Sequence, residues 1–205
     1  ALKLEGVLGV LTAKDVPGKN NIGHLEFISD WDALIPVGGI TRYIGDAVAL
    51  VAAKDKKILE EAKKLVKVEY EELEGLFTIE EAMADGAPLI HSKPNNVLVR
   101  EVLKRGDYEG ALLNSKYKVT NIYETPATEH AYLEPESALA MPDGNGGIEI
   151  YTSSQSVYDE QREIARLLGL EKNQVRVKSA YVGGGFGGKE DMSVQHHAAL
   201  LAYVL

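Results

Sequence analysis

Gly183-Gly184-Gly185-Phe186-Gly187-Gly188-Lys189-Glu190 packs five glycines and one phenylalanine into six consecutive positions. A strand-like run, Gln174 to Val182, leads into it, and an apolar helix-like run follows. Glycine adopts positive φ without steric cost and lets another body approach the main chain closely. A tight strand-to-helix turn needs one or two glycines, so five point to something large, flat or anionic lying on the backbone. Two phosphate motifs come close. Gly183, Gly185 and Gly188 satisfy G-x-G-x-x-G between a strand and a helix. The acidic residue expected about 20 positions later falls past Leu205. Gly183, Gly188 and Lys189 satisfy G-x-x-x-x-G-K, but the next residue is Glu190. A P-loop needs a Ser or Thr hydroxyl there for Mg²⁺, and a carboxylate would repel the phosphates.

Working outward, Ile148 to Thr152 and Ala138 to Met141 read as two strands. The turn Pro142-Asp143-Gly144-Asn145-Gly146-Gly147 joins them into a hairpin. This hairpin argues against a doubly wound parallel sheet. A helix is expected over Val157 to Leu168, closed by Gly169. Tyr117 to Tyr123 alternates as a further strand. Nearer the start, Gly6 to Thr12 reads as a buried strand, Asp15 to Gly18 as a turn, and residues 19–38 mostly as loop. Arg42 to Ala53 reads as a strand and Val66 to Tyr70 as a half-buried one. Between them lies a helix to Leu65 with Asp55 as N-cap. Thr78-Ile79-Glu80-Glu81 carries a capping-box pattern. Residues 85–115 hold Gly86, Pro88, Pro94 and paired asparagines and read as a linker, with a possible strand over Val97 to Val102.

The chain has 205 residues, 45% hydrophobic and 26% charged, the composition of a globular protein of one or two domains. A net charge of −9 argues against general nucleic-acid binding. No apolar run reaches the roughly 18 residues a bilayer span needs. Cysteine is absent, so the chain has neither a disulfide framework nor a thiolate metal site. These features favour the cytoplasm. The first residues lack an initiator methionine, and the last stop within an apolar run, so a piece of a longer polypeptide is expected.

The glycine stretch resembles the signature of the molybdenum hydroxylases, the xanthine dehydrogenase and aldehyde oxidase family. Glu129-His130-Ala131-Tyr132-Leu133-Glu134 resembles the opening of that family's cofactor domain. Ser153-Ser154-Gln155 and the helix ending Leu167-Leu168-Gly169 follow in the same order. Gly6 to Thr12, Asp15-Val16-Pro17, Arg42 to Asp46 and Ala62 to Tyr70 resemble the α/β hammerhead domain that precedes it. The resemblance implies an α+β fold. Its parts are a hammerhead domain over residues 1–90, a linker over 91–115, and the beginning of the molybdopterin-binding domain over 116–205. It also implies molybdenum–molybdopterin, the cytosine dinucleotide form included, with iron–sulfur clusters and FAD on other domains or subunits. The partners it implies are those modules, the remainder of the large subunit and a small heterocyclic substrate, with no nucleic acid and no membrane.

Carried onto this chain, the resemblance gives Gln155 the task of donating its amide N–H to an oxo ligand of molybdenum. Phe186 sits near the metal, and the N–H groups of Gly185, Phe186 and Gly187 face the cofactor as a donor nest. Glu190, read as lying in the first turn of the last helix, binds the N–H edge of a purine or, if protonated, donates to a ring nitrogen. In the family, glutamate at this position goes with purine hydroxylation and an apolar residue with aldehyde oxidation. The family's catalytic base lies C-terminal of Leu205, so this stretch alone is expected to be inactive. Lys189 reads as a solvated charge. His196 and His197 read as structural, and Glu129, Glu134 and Glu136 as residues that shape a turn around Pro135. A noncatalytic binding or assembly module and a dinucleotide-binding oxidoreductase remain the rival readings.

Overall fold

A computed structural model of the chain describes residues 1–23 and 31–205. The middle of the loop expected over 19–38 lies outside the described residues. The contacts group residues 1–75 with 130–205, and residues 76–129 form a second, separate group.

The larger group is built around a three-stranded sheet. The turn at Pro142 to Gly147 closes the expected hairpin, in which β3 (Ala138–Pro142) pairs antiparallel with β4 (Ile148–Thr152). Asp143 holds that turn, its Oδ1 accepting the N–H groups of Asn145 at 2.7 Å and Gly147 at 2.8 Å. Helix α4 (Val157–Leu168) then crosses back to β5 (Val175–Ser179), which pairs parallel with β4. The sheet order is β3-β4-β5, so the central strand has one antiparallel and one parallel neighbour. The parallel half follows from the helical crossover, which returns the chain to run alongside β4.

Alternation along β4 turns Ile148, Ile150 and Thr152 inward and leaves Glu149 and Tyr151 on the opposite face. Ile164, Leu167 and Leu168 of α4 meet that inner face in one hydrophobic core. Gly169 ends α4 in the left-handed conformation at φ 68°. The final helix, α5 (Gln195–Val204), is apolar around much of its circumference and buries Ala199 and Leu200 in the same core.

β1 (Val7–Leu11) pairs antiparallel with β2 (Leu50–Ala53), and α1 (Lys56–Lys64) starts at Asp55, whose carboxylate accepts the Ile58 N–H at 2.8 Å. The turn after β1 joins this part to the sheet. The N–H groups of Gly18 and Lys19 donate to Leu167 O at 2.9 Å and Arg166 O at 3.0 Å. They satisfy Leu167 O, which the end of α4 would otherwise leave open, and add to Arg166 O, which also accepts the Gly169 N–H at 3.4 Å. A Cβ on Gly18 would lie 2.3 Å from Arg166 O, so the approach requires glycine. Asn20 fixes the far side of the loop, its amide bridging both the N–H and the carbonyl of Leu34.

Several expected strands differ. Arg42 to Asp46 is a turn, because the Asp46 carboxylate gathers the N–H groups of Arg42 and Tyr43, and strand pairing begins only at Leu50. Val66 to Tyr70, Val97 to Val102 and Tyr117 to Tyr123 form no strands. Alternation supplies a face, but a strand also needs a neighbour for its ladder, and no described segment pairs with them.

The second group holds α2 (Ile79–Met83), with the expected capping box between Thr78 and Glu81, and α3 (Tyr108–Asn114), N-capped by Asp107. Asn96 knits its middle, donating to Ala82 O and Pro88 O and accepting from the Ile90 N–H.

Candidate functional site

β4 and β5 run parallel, with Thr152 beside Ser179 at their carboxyl ends. The carboxyl edge of parallel strands is where α/β sheets habitually bind ligands. Gln155 follows β4 by three residues and the glycine loop follows β5, so the register of two strands brings them together across 32 positions of sequence.

Gln155 and the loop are fastened by three bonds. The Gln155 Oε1 accepts the N–H groups of Gly187 at 3.2 Å and Lys189 at 3.3 Å. The Gln155 N–H donates to Lys189 O at 2.9 Å. With the amide oxygen committed to the loop, the amide nitrogen remains as a donor with no acceptor among the described residues. Gly185 is buried beneath it, and a Cβ there would stand 2.2 Å from Gln155 Oε1. Glycine is required here for an approach within the chain, by Gln155 itself.

The loop is conformationally unusual as well as bare. Gly184 has φ 94°, Gly187 φ 92°, and Phe186, between two glycines, φ 52°. A bulky side chain at positive φ is a genuine outlier. Phe186 is 76% exposed, so its ring is no part of the core; it folds back over Gly184. The Gly188 N–H closes a turn on Gly185 O at 2.7 Å, and the Glu190 N–H reaches Gly187 O at 3.3 Å. The Gly187 N–H is thus spent inside the loop on Gln155. Those of Gly185 and Phe186 find no acceptor among the described residues. These two backbone donors and the Gln155 amide nitrogen have the chemistry to take an oxygen-rich or anionic group, beside a loop whose only side chains are those of Phe186 and Lys189. The residues present therefore fit a bulky cofactor of that chemistry.

Glu190 departs from expectation. The last helix begins at Gln195, so Glu190 is exposed on the bend before it and no helix dipole acts there. Lys189 is the larger correction. It is fully buried, and its Nζ donates to Glu134 Oε2 at 2.7 Å while lying 4.7 Å from the centre of the Tyr132 ring. A buried ammonium is tolerated because carboxylate and ring together replace its water. The same Glu134 oxygen accepts the Gly183 N–H at 2.7 Å. Lys189 and that backbone N–H hold the Glu134 carboxyl below its ordinary value of 4.5.

Glu134 and Glu136 keep their structural character, with the Tyr132 hydroxyl donating to Glu136 Oε1 at 2.9 Å. The sequence reading missed that His130, Tyr132 and Glu134 act together. A Cβ on Gly188 would meet His130 at 2.7 Å and Tyr132 at 3.0 Å, and one on Gly183 would meet Glu134 at 2.6 Å. Their spacing of two, which would place all three on one side of an extended segment, is the signal that could have exposed the clamp. His196 and His197 lie in α5 with rings 3.9 Å apart, and burial lowers the pKa of both. No cluster of potential metal ligands exists among the described residues, and no described helix is long and apolar enough to cross a membrane.

Comparison with known proteins shows the family of the chain. Residues 1–74 match the a/b hammerhead domain of aldehyde oxidase and xanthine dehydrogenase, and residues 90–205 match the molybdopterin cofactor-binding domain. A probable xanthine dehydrogenase subunit of Bacillus subtilis is 38% identical over 98% of this chain, which covers 26% of that protein. The nicotinate dehydrogenase large molybdopterin subunit of Eubacterium barkeri is 38% identical over 99% of the chain, which covers 47% of it. The aldehyde oxidoreductase of Desulfovibrio gigas superposes with a TM-score of 0.88 at 28% identity, over 99% of this chain and 23% of that one. The chain thus spans less than half the length of these relatives. Its hammerhead and cofactor-domain matches make it a member of the aldehyde oxidase and xanthine dehydrogenase family of molybdenum hydroxylases.

Proposed function

We propose that this chain forms one wall of the molybdenum–molybdopterin site of a xanthine dehydrogenase-like hydroxylase acting on a purine such as hypoxanthine or xanthine. The observation that carries the reading is the set of donors without an acceptor, the Gln155 amide nitrogen and the N–H groups of Gly185 and Phe186. When bound, the cofactor would supply the redox chemistry that places a water-derived oxygen on an electron-poor carbon.

The chain's own residues bind and orient. Gln155 offers a neutral N–H that polarises an oxygen without adding a titrating group. Its own oxygen is anchored by Gly187 and Lys189, so the amide cannot flip without losing both bonds. Gly185 and Phe186 add backbone donors that need no reorganisation, because positive φ at Gly184, Phe186 and Gly187 already fixes the loop. Glu190, exposed beyond the loop, is the residue that would meet the polar edge of the substrate ring. The catalytic base, the iron–sulfur clusters and FAD belong to the rest of the assembly in this proposal, consistent with the absence of cysteine here. The remainder of the large subunit and the electron-transfer modules are the proposed partners, and a cytoplasmic location is part of the same reading.

A second reading within the family is hydroxylation of another N-heterocycle or of an aldehyde. It is favoured by the position of Glu190 outside the final helix and by relatives named for nicotinate and aldehyde. Steady-state kinetics of Glu190→Ala in the cofactor-loaded protein against xanthine, nicotinate and an aromatic aldehyde separates the two. The purine reading expects kcat/KM for xanthine to fall about 10- to 100-fold, the worth of one charge-assisted hydrogen bond. Unchanged xanthine turnover, or preference for another substrate by the parent protein, overturns it.

A further inference from the structure

We propose that Lys189 and Glu134 are positioning residues: a buried ion pair that latches the glycine loop and, through the loop backbone, aims the Gln155 amide. The inference rests on the reading of Gln155 and the loop as a cofactor wall, and it adds residues whose role lies behind that wall.

The geometry makes Lys189 a hub. Its N–H donates to Gln155 Oε1 at 3.3 Å, its carbonyl accepts the Gln155 N–H at 2.9 Å, and its Nζ reaches Glu134 at 2.7 Å. One residue therefore holds Gln155 at both main chain and side chain and ties it to a third segment of the chain. Glu134 completes the latch, because a single carboxylate oxygen accepts from Gly183 at the entry of the loop and from Lys189 at its exit. The two ends of the loop are thereby fixed to one atom. Between them, glycines leave little else to hold the conformation, and their freedom must be removed by contacts at the ends. Tyr132 roofs the ammonium, and its own hydroxyl is fixed by Glu136. The buried Lys189 ammonium donates to Glu134 and the Tyr132 hydroxyl to Glu136, so neither is a member of the donor set of the wall. Their effect on the reaction passes through the position of Gln155, as supporting groups around metal sites commonly do.

The two members of the pair differ in what their removal leaves behind. The Lys189 side chain is 0% exposed and that of Glu134 36%. Without Lys189 the carboxylate can recruit water, whereas without Glu134 an ammonium stays buried and alone. Lys189→Met is therefore the variant that keeps the fold. Glu134→Gln keeps an acceptor oxygen in place and loses only charge.

The test uses the native, cofactor-supplied protein that carries this chain, with three readouts on each variant: kcat and KM, the electron paramagnetic resonance spectrum of the half-reduced metal, and hydrogen exchange over residues 183–190. In Lys189→Met, kcat per bound molybdenum falls about 10- to 100-fold with a much smaller change in KM. The spectrum shifts, and the loop amides lose protection. Glu134→Gln lies between this variant and the parent. Wild-type kcat per molybdenum with an unaltered spectrum in Lys189→Met overturns the proposal. So does a loss of activity that merely follows the loss of folded protein or of metal. Should the parent bind no molybdenum, the proposed function fails while hydrogen exchange still decides the latch: faster exchange in Lys189→Met upholds it, and unchanged exchange refutes it.

Discussion

Gly185→Ala is the sharpest perturbation the site offers. The added methyl would lie 2.2 Å from Gln155 Oε1 and 2.7 Å from its Cδ, where real Cβ contacts do not fall below 3.0 Å. Restoring that separation takes the amide from 2.2 Å to at least 3.0 Å, a displacement of about 0.8 Å. The bonds from Gly187 and Lys189 start at 3.2 and 3.3 Å, so the amide cannot move that far and keep both at full strength. One of those bonds is exposed and the other only part-buried, so the folding cost is modest, about 1–2 kcal/mol. The cost to the reaction is larger, because a misplacement near 1 Å at a reacting centre can lower the rate about 100-fold. The assay is kcat per bound molybdenum in the loaded protein, paired with thermal denaturation. A fall in kcat of tenfold or more with a small change in Tm is the expected result. Wild-type kcat with intact folding would refute the claim that Gln155 must stand where Gly185 allows it.

Three further outcomes follow from the same structure. Gly18→Ala drives a methyl into the carbonyls at the end of α4 and breaks two hydrogen bonds, a loss of about 2 kcal/mol or more, read as a lowered denaturant midpoint. Ile164→Ala empties a fully buried core position and costs about 2–5 kcal/mol in the same measurement. Glu134 is held below its ordinary value of 4.5 by Lys189 and Gly183, so its contribution is complete above pH 4.5 and is lost as pH falls through the lowered value. Proteolysis of the loop should therefore accelerate only below pH 4.5, and a Glu134→Gln protein should lack that acid step.

Much of the central fold was legible because its signals are local. The Pro142 to Gly147 turn, the helix from Val157 to Leu168 with Gly169 behind it, and the caps at Asp55 and Thr78 each depend on a few neighbouring residues. Pairing was not legible. Val66 to Tyr70 alternates like a strand, yet alternation says nothing about whether a partner lies alongside. The parallel union of β4 and β5 was hidden behind the hairpin that precedes it. At the site, Gln155, Gly185 and Phe186 could be marked from glycine density and family resemblance. Lys189 could not, since its burial depends on a carboxylate 55 residues away. Read alone, a lysine beside a glutamate in a polar loop looks solvated. Helix α3 is not legible in the sequence, because Asp107 and Gly110 have the composition of a linker.

In the proposed function, Gln155 and the glycine loop form a wall of a molybdenum site. Metal analysis of the native protein carrying this chain, purified after ordinary cofactor supply, tests it most directly when the parent is measured beside Gly185→Ala. Stoichiometric molybdenum in the parent, with an altered metal spectrum in the variant, is the predicted result. A parent that folds and assembles yet holds no molybdenum, or a variant whose metal spectrum matches the parent's, would contradict the account.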